Sequence, residues 1–191
     1  ATGIAINRDN IVYVADTNSN RIQRFDSDGD FLSAWGSVGT ATGRFDTPRG
    51  VALDSLGNVY VADAENNRIQ KFSALGVFIR AWGGAGAAFG QFVTPIGIAI
   101  DSVDRVFVAD SGNDRIQIFN SNGGFLASRG STGVGAGDFI FPHTIAIDSH
   151  DNSYVVDGSV GRVQVFNSAG VFITQFGSFG SGIAQFNQPL G

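Results

Sequence analysis

Short apolar segments separated by polar turns run along the whole chain, and the stretch from Gly50 onwards shows the pattern most clearly. Its segments are residues 50–54, 59–63, 68–72 and 78–82. The first is an apolar run that suits a strand buried on both faces, and the second is rich in β-branched side chains. The third alternates, which places Ile69 and Lys71 on one face and Arg68 and Phe72 on the other. The pattern predicts four consecutive strands, followed by a Gly-rich connection.

The same pattern returns every 47 residues without an insertion, which defines the repeats 3–49, 50–96, 97–143 and 144–190. An acidic, a basic and an aromatic column keep this register. They are Asp16, Asp63, Asp110 and Asp157; Arg21, Arg68, Arg115 and Arg162; and Phe25, Phe72, Phe119 and Phe166. Four strands in a unit of this length are typical of a β-propeller blade. We therefore predict one all-β domain over residues 1–191, built of four four-stranded antiparallel blades.

Composition agrees with strands joined by tight turns. The chain has 27 glycines, and its charged fraction of 15% lies well below the roughly 25% of an average soluble domain. Glycine recurs too often for helices of about ten residues, so we predict no helix. A hydrophobic content of 43% is sufficient for a real core.

The motifs of the second repeat resemble the NHL-repeat family, and the resemblance extends over essentially the whole chain. The residues that carry it are Pro48-x-Gly50-Val-Ala-Leu-Asp54, Gly57-Asn58-Val-Tyr-Val-Ala-Asp63, Asn67-Arg68-Ile-Gln-x-Phe72, Gly76-x-Phe78 and Trp82-Gly83. The resemblance implies blades whose first strand is innermost around a channel, usually six to a ring. Since four repeats are present, we expect part of a larger, six-bladed ring or an array completed by neighbouring chains; a self-closed ring of four is the alternative. The family includes RNA binders, protein-interaction scaffolds and lyases, so function must be argued from the site.

The Asp and Arg columns are interpreted as structural. Asp63 ends a second strand and Arg68 begins the third, a spacing that suits a charge-assisted hydrogen bond across the turn or a bridge to the adjoining blade. A feature repeated in every unit is expected to serve the fold. A ring of carboxylates or guanidiniums that binds a ligand is the alternative.

Other carboxylates follow the first strands, and we predict no metal site among them. Asp54, Asp101 and Asp148 are expected to close the next turn, with metal binding as the alternative. The segment Asp26-Ser-Asp28-Gly-Asp30 resembles a calcium loop, but Ser37 stands where that loop requires Glu. The segment aligns with ordinary hairpin turns, and we interpret it as one.

A variable column at the start of each repeat is the predicted binding surface. His143 occupies the position that Arg49 and Ile96 hold in other repeats, just before an innermost strand. In propellers of this kind that position faces the mouth of the channel. We predict a binding surface at the channel mouth formed by Arg49, Ile96 and His143, together with Arg44 from the preceding connection.

His143 also bears on catalysis. NHL-like lyases, such as the peptide-amidating lyase and streptogramin lyase, are similar in having His after Pro at blade starts. Those enzymes need several His, or His with Glu, on one metal. The other histidine, His150, is predicted in a turn, so we assign no catalytic residue and no cofactor. A fragment of a metal-dependent lyase or lactonase with ligands in further blades is the alternative function.

The expected partner is a protein or a glycan. A net charge of −5 opposes counterion displacement from a polyanion, so nucleic acid is not an expected partner. No apolar run reaches the ~20 residues of a membrane span. Open blade edges would invite pairing into a homo-oligomer or a filament. A single Lys, no Met and many small polar residues predict an extracellular or periplasmic bacterial protein.

Overall fold

The computed structural model describes residues 1–190, in which every repeat folds as one four-stranded antiparallel sheet. The first two blades consist of β1 (Gly3–Ile6), β2 (Val12–Asp16), β3 (Arg21–Phe25) and β4 (Phe31–Trp35), then β5 (Pro48–Leu53), β6 (Val59–Asp63), β7 (Arg68–Phe72) and β8 (Phe78–Gly83). The other two consist of β9 (Pro95–Ile100), β10 (Val106–Asp110), β11 (Arg115–Phe119) and β12 (Phe125–Arg129), then β13 (Pro142–Ile147), β14 (Ser153–Asp157), β15 (Arg162–Phe166) and β16 (Phe172–Phe176). The predicted all-β blades are confirmed.

Two local features differ from the sequence expectation. The first strand of the second blade begins at Pro48 and not at Gly50, because Pro48 pairs with Asp63 across an irregularity in the register. Single 3-10 turns also follow two second strands, at Thr17–Ser19 and Ser111–Asn113. Each ends on a residue in the left-handed region whose N–H bonds back three residues, which tightens the turn without forming a longer helix.

The four innermost strands lie side by side in chain order, β1 beside β5, β5 beside β9 and β9 beside β13. Glycine makes this close approach possible. A Cβ on Gly50 would lie 2.4 Å from the carbonyl oxygen of Ile96, and one on Gly97 would lie 2.4 Å from that of His143. The repeated glycine is therefore a packing requirement of the channel wall.

The core consists of three hydrophobic clusters, one at each junction between consecutive blades. At the middle junction Phe119 of the third blade packs against two rings of the second blade. Its ring centre lies 5.9 Å from that of Trp82 and 5.5 Å from that of Phe92. Rings tilted at these separations interact favourably beyond their burial. The Phe column thus joins each blade to the one before it.

The fourth and first blades lack such a junction within residues 1–190. Ile4 is 67% exposed, whereas Val51, Ile98 and Ile145 at the same repeat position are between 5 and 7% exposed. At the other end, Tyr154 is half-buried where Tyr60 is fully buried. The fold is therefore an incomplete β-propeller, an arc with two open end faces.

Candidate functional site: the channel mouth

Three of the four predicted mouth residues lie together. Arg49, Ile96 and His143 stand at the starts of β5, β9 and β13, and they line one cavity of about 490 Å³. Side-by-side packing of the inner strands brings these positions, 47 residues apart in sequence, to the same end of the channel. The structure thus gathers this part of the predicted surface into one concave site.

Arg44 is placed elsewhere. It belongs to the connection before β5 and is not among the residues that line the mouth. Its carbonyl oxygen accepts hydrogen bonds from Arg68 and Gln70, and its side chain lies against Gly39. Through its backbone, Arg44 contributes to the contact between two blades.

Sequence reasoning missed two threonines at the mouth. Thr2 and Thr144 also line the cavity. Thr2 stands at the repeat position of Arg49 and donates its hydroxyl to the Arg49 carbonyl at 3.2 Å. Thr144 replaces the glycine of the other repeats and donates to the carbonyl of Leu190 at 2.6 Å. The substitution in an otherwise constant Gly column was the signal that could have identified Thr144.

Most of the remaining mouth lining is apolar. It is formed by Ile4, Val51, Ile98, Ile145 and Leu190 together with backbone of the glycine column. Arg49 adds one positive charge to this surface, and its buried Nε has no hydrogen-bond partner within residues 1–190. The site therefore combines an apolar wall with one guanidinium group.

His143 is half-buried beside this cation. Burial lowers the pKa of the imidazole below its usual value, and the charge of Arg49 lowers that pKa further, against an opposing backbone hydrogen bond to Leu190. Its Nδ1 lies 3.4 Å from the hydroxyl oxygen of Thr144. At neutral pH the imidazole is neutral, so Arg49 supplies the positive charge of the mouth.

We expect His143 to titrate below the ordinary value of about 6.5, as followed by the imidazole proton shifts in NMR. The pKa of His143 is lower in the folded chain than in the unfolded chain, so the fold favours the neutral imidazole. The contribution of this group to the free energy of unfolding is therefore present above the unfolded pKa and is lost as the pH falls through the folded pKa. In Arg49→Ala the pKa of His143 should rise, because the repulsion from the guanidinium is removed. A His143 pKa above 6.5, or one insensitive to Arg49, would contradict this geometry.

The Asp and Arg columns form a buried network away from the mouth. Arg68 donates Nε–H to Asp63 Oδ2 at 2.7 Å, and Gln70 donates to the same oxygen at 3.0 Å. The remaining guanidinium nitrogens of Arg68 donate to carbonyls of the preceding connection, including that of Ala41 at 2.9 Å. The pairs of the second, third and fourth blades therefore brace their own turns and also bind the preceding blade.

The structural role of a glutamine column was missed by sequence reasoning. Its members are Gln23, Gln70, Gln117 and Gln164, and the last three are fully buried. Each of these three accepts a backbone N–H from the preceding connection, as Gln117 does from Gly90 at 2.9 Å. An uncharged polar side chain repeated in register between apolar residues was the signal for this role.

The carboxylates after the first strands close turns at the opposite end of the channel. Asp54 Oδ1 accepts the N–H groups of Leu56 and Asn58 at 3.1 and 2.8 Å. Burial alone would raise the pKa of Asp54, but hydrogen bonds from Asn58, Lys71 and Tyr60 outweigh it and hold the pKa below its usual value. Asp54 is therefore an ionised carboxylate whose acceptor sites are in use.

Residues 1–190 contain no group of three His, Cys, Asp or Glu placed to hold a metal ion. No helix among them is long and apolar enough to cross a membrane. His150 lies in the turn after β13, where its backbone N–H bonds to Asp148 at 2.8 Å, far along the strand from His143.

Comparison with family models gives two matches. Residues 1–25 and 45–72 match the model of the NHL repeat. Residues 91–159 match a model described as a six-bladed β-propeller. A search of curated protein sequences returned no significant match.

Solved structures share the fold at low identity. A streptogramin B lyase is 18% identical with a TM-score of 0.69, over 92% of this chain and 53% of the lyase. Virginiamycin B lyase from Staphylococcus aureus is 16% identical with a TM-score of 0.69, over 92% of this chain and 54% of the lyase. A chain of a nidogen/laminin complex is 19% identical with a TM-score of 0.56, over 91% of this chain and 78% of the other. The chain spans about half the length of the lyases, and likeness at these identities shows the fold alone.

Proposed function

The chain is an NHL-repeat β-propeller protein, and from that premise we propose that it is a non-enzymatic scaffold that binds a protein ligand at the channel mouth. The observation that supports this most is the mouth cavity, where the variable residues Arg49, Ile96 and His143 converge. The constant columns of Asp, Arg and Gln are occupied in holding blades together. Variable side chains on a constant frame are the usual arrangement of a binding surface.

The chemistry of the lining favours a protein over a glycan. Isoleucine and valine side chains dominate the cavity wall, and no Trp, Tyr or Phe lines it. Apolar pockets of this kind suit an aliphatic or aromatic side chain of a partner. Arg49 would then meet an acidic side chain or a main-chain carbonyl next to it. A propeller of the same fold occurs in a nidogen/laminin complex, which adds fold-level support only.

The alternative, a fragment of a metal-dependent lyase or lactonase, is supported by fold likeness to the streptogramin and virginiamycin B lyases. At the mouth this chain offers one imidazole, that of His143, beside an arginine. Several converging ligands would be needed for a catalytic metal. The side chains of residues 1–190 therefore favour binding. An extracellular or periplasmic location stays a prediction from composition.

Selection of random displayed peptides on the purified chain tests this proposal. We expect enrichment of peptides with a large apolar residue next to an acidic one. The Arg49→Glu variant should bind the selected peptides roughly tenfold to a hundredfold more weakly, because a charge-assisted hydrogen bond is replaced by repulsion. The matched control is Leu56→Glu, at an exposed residue that lines the cavity at the opposite end of the channel.

Two outcomes would contradict the proposal. One is equal peptide binding by Arg49→Glu and by the parent chain. The other is the absence of any selected peptide together with glycan-array binding that depends on Arg49, which would make the ligand a glycan.

A further inference from the structure

The two end faces of the arc carry the two halves of one repeated junction. Each of the second, third and fourth blades packs one face against the blade before it, and the equivalent face of the first blade is exposed. Each of the first, second and third blades packs its other face against the blade after it, and the equivalent face of the fourth blade is exposed. Within residues 1–190 the same junction forms three times. Its polar and apolar contacts define what each open face lacks.

The polar part of the junction is constant. Arg115 donates to the carbonyls of Ala88 and Gln91 at 2.9 and 3.1 Å. Gln117 donates to the carbonyl of Gln91 at 2.6 Å and accepts the N–H of Gly90 at 2.9 Å. A guanidinium and an amide of one blade thus clamp the backbone of the connection before it.

The first blade has the side-chain donors of this clamp without the backbone acceptors, and the fourth blade has the backbone acceptors without the donors. Arg21 and Gln23 bond only to Asp16 of their own blade within residues 1–190. At the other end, no Arg or Gln side chain within residues 1–190 donates to the carbonyls of Gly182 and Gln185, whereas such donors bind the equivalent carbonyls of Ala88 and Gln91. An exposed cationic donor faces out at one end, and exposed backbone acceptors face out at the other.

The apolar contacts show the same complementarity. Trp82 packs so closely on Gly123 of the next blade that a Cβ there would lie 2.6 Å from its ring. In the fourth blade Phe176 stands at the Trp82 position and is 50% exposed. In the first blade Gly29 stands at the Gly123 position and has open space above it.

A second apolar pair is present at the middle of the three junctions. Phe89 stacks on Phe125 of the next blade, with ring centres 4.7 Å apart. Ile183 stands at the Phe89 position and is fully exposed, while Phe31 stands at the Phe125 position and is 58% exposed. Each end face thus exposes two large apolar side chains, Ile4 with Phe31 on the first blade and Phe176 with Ile183 on the fourth, and such exposure marks an interaction surface.

We propose that a second copy of this chain covers these faces, with the fourth blade of one copy docked head-to-tail on the first blade of the next. The occupant is a copy of the chain because each open face lacks the contacts that the other provides, at the same 47-residue register as the internal junctions. The contact is heterologous, so it closes into a ring of copies or continues as a filament. It joins faces of blades, whereas the sequence analysis predicted assembly through pairing of open blade edges.

Light scattering after size exclusion, with matched double variants, tests the proposal. The parent chain should have a mass that is a multiple of 20.0 kDa. Ile4→Lys/Phe31→Lys alters the first-blade face, and Phe176→Lys/Ile183→Lys alters the fourth-blade face. Each should reduce the mass to 20.0 kDa while keeping the circular dichroism of the parent, because the changed residues are exposed in the single copy.

The control is Leu75→Lys/Val103→Lys, which changes two residues of similar exposure, 72 and 68%, in turns away from both end faces. It should keep the assembled mass. An equimolar mixture of the two face variants retains one intact junction and should give a species of two copies and nothing larger.

A parent chain of 20.0 kDa at every concentration would overturn the proposal. So would a control that dissociates as fully as the face variants, or a mixture that stays monomeric. The first of these results would assign the faces to further blades of a longer polypeptide.

Discussion

Asp110→Ala should lower the free energy of unfolding by about 3–5 kcal/mol, as expected when a buried charge loses its partner. Asp110 is fully buried, and it accepts hydrogen bonds from Arg115 at 2.7 Å and from Gln117 at 2.9 Å. It also accepts the backbone N–H of Val93 from the preceding connection at 2.8 Å. Its removal leaves a buried guanidinium and a buried amide without their common acceptor. Chemical denaturation followed by circular dichroism measures the change.

The matched variant is Asp16→Ala, which removes the same column residue from the first blade. Asp16 and Arg21 have exposed side-chain fractions of 20% and 43%, so water can replace the lost bond. In the background Phe176→Lys/Ile183→Lys, where no second copy covers the first blade, the cost should be about 0–1 kcal/mol. Equal destabilisation by both variants would contradict the role given to the junction.

Phe119→Ala should also be severely destabilising, by about 3–5 kcal/mol, because a large buried ring leaves a cavity that the surrounding sheet cannot fill. Phe119 is fully buried and contacts the rings of Trp82, Phe92 and Phe125. These three rings come from two different blades, so the loss weakens a junction as well as a sheet. Equilibrium unfolding in denaturant, with Trp fluorescence as the signal, gives the difference.

The same substitution at Phe25, in the uncovered first blade, is the control. Phe25 is half-buried and contacts the ring of Phe31 in its own blade at 6.0 Å. In the background Phe176→Lys/Ile183→Lys its truncation should cost roughly 1 kcal/mol. If Phe25→Ala were as costly as Phe119→Ala, the Phe column would act within single blades and not between them.

The blade architecture could be predicted from the sequence because the same side chains recur at the same positions of every 47-residue repeat. The pairing of Asp63 with Arg68 also followed from their spacing across a turn, and the structure gives it a distance of 2.7 Å. Its second role, in which Arg68 bonds to carbonyls of the preceding blade, involves residues nearly thirty positions away. Spacing within one repeat contains no information about that contact.

The candidate site was predictable only in part. Arg49, Ile96 and His143 share one repeat position, so side-by-side inner strands bring them together. Arg44 lies five residues before Arg49, and the path of the connection directs it towards the blade junction. That path depends on hydrogen bonds with the following blade, which a single repeat does not reveal. The depression of the His143 pKa likewise requires the burial and the Arg49 contact that only the assembled mouth provides.

The burial of residues at the two end faces could not be predicted from composition and periodicity. Ile4 and Val51 are equivalent in sequence, yet one is exposed and the other buried, because only the latter has a preceding blade. Equivalent residues therefore differ in energy according to their neighbours along the array, as expected for repeat proteins. Stability should accordingly be concentrated at the three junctions and be lowest at the two ends.

Amide hydrogen exchange by NMR on the assembly-blocked variant Ile4→Lys/Phe31→Lys tests the open arc most directly. The N–H groups of Gly90 and Val93 bond to the following blade, so they should be strongly protected. Ala184 and Asn187 stand at the same repeat positions beside the open face, and their N–H groups should exchange close to the rate of an unfolded chain. Equal protection at all four amides in this variant would mean that the fourth blade meets the first within one chain, which would contradict an arc with two open faces.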